Sequence, residues 1–302
     1  MKIGTRGSAL ALWQARTVAR LIRETGGPEC EIVVIRTAGD EKSTLGTLNV
    51  KRSFVKEIED ALLDGRVDVA VHSAKDLPGE LPDGLVIAAT LEREDPRDAL
   101  LLAADITGFE AVTAHLGANP RVGTSSVRRT AQLRSVFPHA TFVPIRGNVD
   151  TRLRKLDAGE CKVLVLAAAG VKRLGLEQRL SALIPVDVCL PAPGQGIVAV
   201  EIAARADPRV RAAVKRITDA DSETALTAER AVVRALGGGC QMPLGALTVI
   251  DGQAITVHGL VASLDGQTVL RATARGHRGG AAATGEKLAA QLIARGATEF
   301  LK

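Results

Sequence analysis

Short apolar runs alternate with amphipathic stretches through the first half of the chain. Ile3–Thr5 reads as a strand and Ala9–Arg23 as a helix, followed by a strand at Glu31–Arg36, a helix at Phe54–Leu63 and a strand at Val67–His72. Strands that alternate with helices predict parallel sheets joined by crossover helices. The pattern restarts after Asp95-Pro96: Arg121–Gly123 leads to a helix at Ser126–Val136, then a strand at Thr141–Pro144, a helix at Val149–Leu156 and a strand at Val163–Ala167. This is a second α/β lobe. Two lobes around a cleft place a ligand at the carboxyl ends of the strands. Leu190–Gln195 is rich in Pro and Gly and reads as a crossing, after which Ile197–Ile202 forms a strand. A long helix at Ser222–Leu236 stops at Gly237-Gly238-Gly239. Alternating strands at Ile255–Val261 and Thr268–Ala274 and a last helix from about Ala282 to Ala294 predict a small antiparallel α+β domain.

A length of 302 residues is too great for one core and agrees with two or three domains. Hydrophobic residues make up 46% and charged residues 24%, values of an ordinary globular protein. No apolar run reaches the roughly 18 residues of a membrane span, and the N-terminus lacks the apolar segment of a secretory signal. The expected compartment is the cytoplasm, with no membrane partner. Aromatic residues are only 2% and Tyr is absent, which argues against the stacking platforms of single-stranded nucleic-acid binding. Arg supplies 28 of the 39 basic residues, and its planar fork matches carboxylates in bidentate fashion. An Arg-rich codon usage with solvated surfaces explains the same composition, so position has to decide. Cys30, Cys161, Cys189 and Cys240 form no C-x-x-C pair, and the histidines show no H-E-x-x-H spacing. Neither a metal site nor a disulfide framework is expected.

The basic residues gather at predicted strand ends. Arg6 and Ser8 follow the first strand, and Ser73, Lys75 and Asp76 follow the strand ending at His72. Gly123-Thr124-Ser125-Ser126 precedes Arg128 and Arg129. Arg146 follows the strand Thr141–Pro144, with Arg152 soon after, and Arg173 follows Val163–Ala167. A Gly-Thr-Ser-Ser helix start offers backbone N–H groups and hydroxyls to an anion, although any one of these places is equally an ordinary cap beside solvated arginines. Repetition at five strand ends favours a ligand with several negative charges. Asp76 is the one acid in this set. It reads either as a turn-capping residue before Pro78 or as a fixed carboxylate that stabilises a cation. Cys240, after three glycines, reads either as a small buried hydrophobe or as a nucleophile or attachment point on a loose loop.

Taken in order, GTRGSALALWQA (4–15), VHSAKDLP (71–78), EREDPRDA (92–99), GTSSVRR (123–129), RGNVDTRL (146–153), LAAAGVKRLG (166–175), LPAPGQG (190–196), TAERA (227–231) and GGGCQMPLG (237–245) cover nearly the whole chain. In these motifs the chain resembles the porphobilinogen deaminase family, also called hydroxymethylbilane synthases. The resemblance implies an α/β fold of two periplasmic-binding-protein-like lobes with mainly parallel sheets plus a small C-terminal α+β domain. Expected bounds are 1–92 with 197–217, 97–190, and 219–302. It implies a dipyrromethane cofactor on a thioether to Cys240 and the stepwise joining of four porphobilinogens with loss of ammonia, after which water releases linear hydroxymethylbilane for tetrapyrrole and haem biosynthesis.

By motif position Asp76 matches the family's catalytic aspartate, which holds pyrrole nitrogens and the azafulvenium-like cation. Arg6, Ser8, Ser73, Lys75, Thr124, Ser126, Arg128, Arg129, Arg146, Arg152 and Arg173 match positions that hold cofactor or substrate, and Gln195 falls in the hinge-side motif. The lid departs from the family: Asn49-Val50-Lys51-Arg52-Ser53-Phe54 stands where Gly-Gly-Lys-Gly-Leu-Phe is usual. Lys51 keeps its place as a substrate contact, while the loss of glycines predicts a stiffer segment. The expected partner is a small-molecule substrate met by a monomer. Two other classes remain, a non-catalytic two-lobed anion binder and a nucleic-acid binder suggested by the pI near 9.2. A covalent pyrrole adduct excludes the first, and strong salt-dependent affinity for DNA or RNA would support the second.

Overall fold

A computed structural model describes residues 1–36, 55–237 and 243–300. The whole of the expected lid, Asn49–Phe54 with Lys51, and Cys240 lie outside the described residues. Among those described, no helix is long and apolar enough to cross a membrane.

The first lobe holds β1 (Lys2–Thr5), α1 (Ala9–Glu24), β2 (Glu31–Val34), α2 (Lys56–Leu63), β3 (Val69–Ser73) and β4 (Leu85–Thr90). The chain then crosses into the second lobe: β5 (Asp98–Leu101), α3 (Phe109–Leu116), β6 (Arg121–Gly123), α4 (Val127–Leu133), β7 (Thr141–Val143), α5 (Val149–Asp157), β8 (Val163–Ala167), α6 (Ala168–Arg173) and β9 (Ala182–Leu183). It returns to add β10 (Val198–Ala203) and α7 (Pro208–Lys215) to the first lobe, and continues into α8 (Ala220–Ala235), β11 (Leu244–Asp251), β12 (Ala254–Ala262), β13 (Val269–His277) and α9 (Ala281–Ala294).

The two five-stranded sheets share one plan. Their orders are β2-β1-β3-β10-β4 and β7-β6-β8-β5-β9. In the first, β1 pairs parallel with β2 and β3, and β10 runs antiparallel between β3 and β4. In the second, β6 pairs parallel with β7 and β8, and β5 runs antiparallel between β8 and β9. The antiparallel member of each sheet is therefore the strand that follows a crossing. The two-lobed α/β class expected from the sequence holds, with sheets that are mixed, two ladders parallel and two antiparallel in each, and the third sheet, β11-β12-β13, is wholly antiparallel.

Burial explains the plan. The β8 sequence VLVLA is buried at every position, and β10 at all but its last, as strands covered on both faces require. Helix α1 turns Ala11, Gln14, Ala15, Val18 and Ile22 to the sheet, a three- and four-residue stripe, and Ser8 caps it by accepting from the Ala11 amide, a contact worth about 1 kcal/mol. Helices α8 and α9 cover one face of the third sheet through Val232, Val257, Val261, Leu288 and Leu292. Part of the other face, at Leu247, Leu260 and Ala262, packs on Ala131 and Leu190 of the second lobe and the crossing.

Candidate active site

Sequence places polar residues just where the strands end, and the fold carries those ends to the seam between the lobes. At the first strand end, Thr5 is buried and donates to the Ala11 carbonyl, so Arg6 leaves β1 from a fixed point and Ser8 starts α1. At the next, His72 Nε2 lies 3.0 Å from Glu201 Oε2 with both side chains buried, while Ser73 Oγ accepts from Gln14 Nε2 at 2.8 Å. A single 3-10 turn, Ala74–Asp76, follows. The Ala74 amide is tied to the Ile197 carbonyl, and Lys75 Nζ reaches Gln195 Oε1 at 3.5 Å. Asp76 thus stands on a turn held from α1, from β10 and from the return crossing.

In the second lobe, the Gly-Thr-Ser-Ser turn largely satisfies itself. Thr124 Oγ1 accepts from the Ser126 amide, Ser126 Oγ from the Arg129 amide, and Ser125 Oγ donates to the Ile145 carbonyl. Arg128 and Arg129, expected to face incoming anions, are buried and already hold a carboxylate, that of Asp98. Arg128 Nη1 donates to Asp98 Oδ2 and to the Leu190 carbonyl, each at 2.7 Å. Arg129 donates through Nε and Nη2 to Asp98 Oδ1 and through Nη1 to the Val165 carbonyl. Gln195 Nε2 adds a bond to Asp98 Oδ1 at 2.9 Å. Burial alone would push the Asp98 carboxyl up; the two guanidiniums outweigh it and hold the group well below the usual carboxylate range. Motif reading passed over Asp98, one acid among several in EREDPRDA.

Arg152, on α5 of the second lobe, is partly buried. Its Nε donates to the Gly147 carbonyl at 2.7 Å. Burial and the charge of Arg129 lower its pKa to about 10, and Asp76 opposes that shift, so the Asp76 carboxylate and the Arg152 guanidinium share one electrostatic neighbourhood across the lobes. Arg173 likewise falls to about 10, through burial opposed by Glu94. Its Nη2 donates to the Gly196 carbonyl at 2.6 Å, and its guanidinium lies 5.5 Å from the centre of the Trp13 ring on α1. Both arginines stay charged at neutral pH. Arg146 is exposed on the β7–α5 loop.

A third buried carboxylate ties the seam to the last domain. Glu229 of α8 accepts from Arg93 Nη1 at 2.6 Å, from the Gly194 amide at 2.7 Å and from the Thr248 amide at 2.8 Å. One side chain thus joins the outward crossing, the return crossing and β11. Gln14 and Glu229, both unremarked from the sequence, are polar residues on apolar helix stripes, and that pattern is the signal that could have found them. The assembled set has desolvated guanidiniums for several carboxylates and one carboxylate, Asp76, for a cation or for N–H groups. Among the described residues no cluster suited to a metal ion occurs.

Two family models match. "Porphobilinogen deaminase, dipyromethane cofactor binding domain" covers residues 1–212, and "Porphobilinogen deaminase, C-terminal domain" covers 224–294. Curated porphobilinogen deaminases of Moorella thermoacetica and Bordetella parapertussis are each 46% identical, over 305 and 306 residues, covering all of this chain and 96% and 95% of theirs. That of Chromobacterium violaceum is 46% identical over 303 residues, covering 99% of this chain and 96% of its own. Among solved structures, the second VFT domain of Bordetella pertussis BvgS aligns with a TM-score of 0.43 at 12% identity, over 75% of this chain and 91% of that one. Immunogenic lipoprotein A of Vibrio vulnificus gives 0.43 at 14% identity, over 76% and 99%.

Proposed function

The chain belongs to the porphobilinogen deaminase family, and from that membership we propose how its own residues divide the work. It is a transferase of tetrapyrrole biosynthesis that joins four porphobilinogens head to tail into hydroxymethylbilane on a covalently bound dipyrromethane. Each addition breaks the aminomethyl C–N bond of the substrate and releases ammonia. The freed methylene carbon bonds to a ring α-carbon, which gives up its proton.

The described residues fit a dipyrromethane. Arg152 and Arg173 are desolvated cations whose recorded hydrogen bonds go to backbone carbonyls, and each pyrrole ring brings an acetate and a propionate. Held by a thioether to Cys240, the group supplies the fixed ring carbon from which the chain starts. Arg152 and Arg173, with Arg6, Ser8, Ser73, Lys75, Thr124, Ser126 and Arg146, bind the ring carboxylates. Asp76 orients the pyrrole N–H groups and stabilises the positive charge left as ammonia departs, a preorganised charge in a partly dry cleft. Arg128, Arg129 and Gln195 act from behind, through Asp98, by fixing α4 to the crossings. Lys51 is assigned to substrate by its motif position alone.

The observation that carries this reading is that Asp76 sits on a strand-end turn anchored through Ala74 and Lys75 to Ile197 and Gln195 of the return crossing, where Arg173 is also tied through the Gly196 carbonyl. Domain bounds of 1–92 with 197–217, 97–190, and 219–302 are supported by the return of β10 to the first sheet. We also place the protein in the cytoplasm as a monomer acting on a small molecule without nucleic-acid or membrane partners. Cations gathered at strand ends, rather than along one helix, support a compact anionic ligand. The test is to supply porphobilinogen and measure released ammonia against linear tetrapyrrole. Four ammonias per tetrapyrrole are expected; no tetrapyrrole, or a different ratio, overturns it.

A further inference from the structure

Beside the strand ends, α1 of the first lobe and the end of α6 of the second line an open cavity of about 510 Å³. That is within the range of pockets for small organic ligands, roughly 300–1,000 Å³. Leu12, Trp13, Arg16 and Arg20 line one side of it, and Arg173 and Leu174 line the other. Spacings of three and four residues put the α1 members on one helix stripe, distinct from the stripe that packs on the sheet. The floor is apolar and includes Trp13, which is 37% exposed. The rim is cationic: Arg16 and Arg20 are exposed, Arg20 shares a surface pair with Glu24, and among the described residues no carboxylate lines the cavity itself.

Its position links it to the catalytic seam. Arg173 lines the cavity, packs over Trp13, and also bonds the Gly196 carbonyl of the return crossing. The same α1 begins at Ser8, just beyond Arg6. A chain of pyrroles that lengthens at the strand ends needs a place for rings no longer reacting, and that place has to offset two carboxylates per ring while covering a planar apolar face. An aromatic floor with an arginine rim meets both needs.

We propose that the α1–α6 groove is an extension subsite that holds pyrrole rings of the lengthening chain, with a ring against Trp13 and ring carboxylates on Arg16, Arg20 and Arg173. The inference rests on the transferase reading above and assigns to it residues that the family motifs do not single out, Arg16 and Arg20 in particular. Early additions do not need the groove; late ones do.

The molecule carries its own reporter. Trp13 is the single tryptophan and there is no tyrosine, so emission excited at the tryptophan band comes from this groove. The holoenzyme is given one to four molar equivalents of porphobilinogen, and tryptophan emission and intact mass are recorded together. Emission should stay near its starting value after the first addition and change on the later ones. In the double variant Arg16→Glu with Arg20→Glu, the first addition should keep its rate. Species with three and four added rings should fall about tenfold, the scale of two lost and reversed surface ion pairs, and the late emission change should vanish. A control with equal charge change elsewhere, Arg209→Glu with Arg275→Glu, should match the wild type. Wild-type protein that elongates while Trp13 emission stays constant overturns the inference alone. So does an emission change complete at the first ring, or a double variant with the wild-type mass distribution. A wild type that gains no rings overturns the transferase reading and this inference with it.

Discussion

At the scale of single residues, the site works by pairing charges across short distances. Asp76, carried on the 3-10 turn after β3, is the carboxylate we propose for the cation. Asp76→Asn keeps shape and loses charge, so the protein should fold with an unchanged melting temperature while turnover drops roughly 100- to 1,000-fold, the usual loss when a preorganised electrostatic group is removed. Near-normal turnover would take Asp76 out of the mechanism. Asp98 is a different case, because it holds two buried guanidiniums and a glutamine. Asp98→Asn leaves buried positive charge in excess and should cost about 3–5 kcal/mol in chemical denaturation. The pH dependence has a definite sign. The folded Asp98 carboxyl lies below its ordinary value of 3.8, so its contribution is complete above that value and is lost as pH falls through the folded one. Wild-type stability should therefore decline in acid, and Asp98→Asn should lack that part of the slope; equal slopes would sink the assignment. Asp76 stood out in the sequence as a candidate because it is an acid alone among cations at a strand end. Asp98 was not, because nothing local distinguishes it from Glu92, Glu94 and Asp95. What distinguishes it is the register that makes it the first residue of β5, where Arg128 and Arg129 of a later helix reach it.

At the scale of elements, the turns before the helices do the positioning. Gly147 has φ of 115°, a region side chains rarely adopt, and a Cβ there would lie 2.7 Å from Thr151 Cγ2. Its carbonyl receives Arg152 Nε. Gly147→Ala should thus displace the turn that aims Arg152, raising KM for porphobilinogen more than it lowers kcat and costing about 1–3 kcal/mol of stability. Gly159, with φ of 75° and open space around it, is the comparison: Gly159→Ala should lose a similar backbone increment and keep its kinetics. If both variants bind substrate alike, the Gly147 turn does not position Arg152. Most elements were readable because their patterns are long. The first helix, expected over Ala9–Arg23, spans Ala9–Glu24, and the strand expected at Val163–Ala167 has those bounds. The helix expected at Ser126–Val136 is shorter, Val127–Leu133, with Ser126 outside it as the cap. Of the strands left unread, β4, β5 and β9 have pairing partners distant in sequence, whereas β11 pairs with the next strand, β12, across a tight hairpin. Asp98-Ala99-Leu100-Leu101 is a short buried run with no period to reveal it, and its partners at Val163–Ala167 and Ala182–Leu183 make it a strand.

At the scale of the whole molecule, three motifs that lie far apart in sequence converge on one joint. Arg93, Gly194 and Thr248 all meet Glu229, and the Ala246 amide donates to the Pro191 carbonyl, so the last domain is fastened to both crossings. Its helix α8 ends at Ala235 and its first strand opens at Leu244, and Cys240 lies in sequence between those two fastened ends. The other three cysteines are poor nucleophiles for physical reasons. Cys189 is fully buried and its thiol is pushed up to about 12, first by burial and then by Asp98. Cys161 is buried against Gly123, and burial raises its thiol. Cys30 is half-buried, and burial raises its thiol too. A raised thiol pKa lowers the thiolate fraction and with it the reactivity of these three, and we propose Cys240, which the family motif names, as the attachment point. A reusable primer also needs a link that survives hydrolysis, and a thioether does, where a thioester or imine does not. The purified protein should therefore exceed its sequence mass by two porphobilinogens less two ammonias. The increment should map to the peptide containing Cys240 and resist thiol reductants. Cys240→Ala should lack both increment and activity, whereas Cys30→Ser, Cys161→Ser and Cys189→Ser should keep both. Protein that arrives unmodified because expression outran substrate supply should gain the increment on incubation with porphobilinogen. Bilane formed by protein whose Cys240 stays bare would break the link between this cysteine and the reaction.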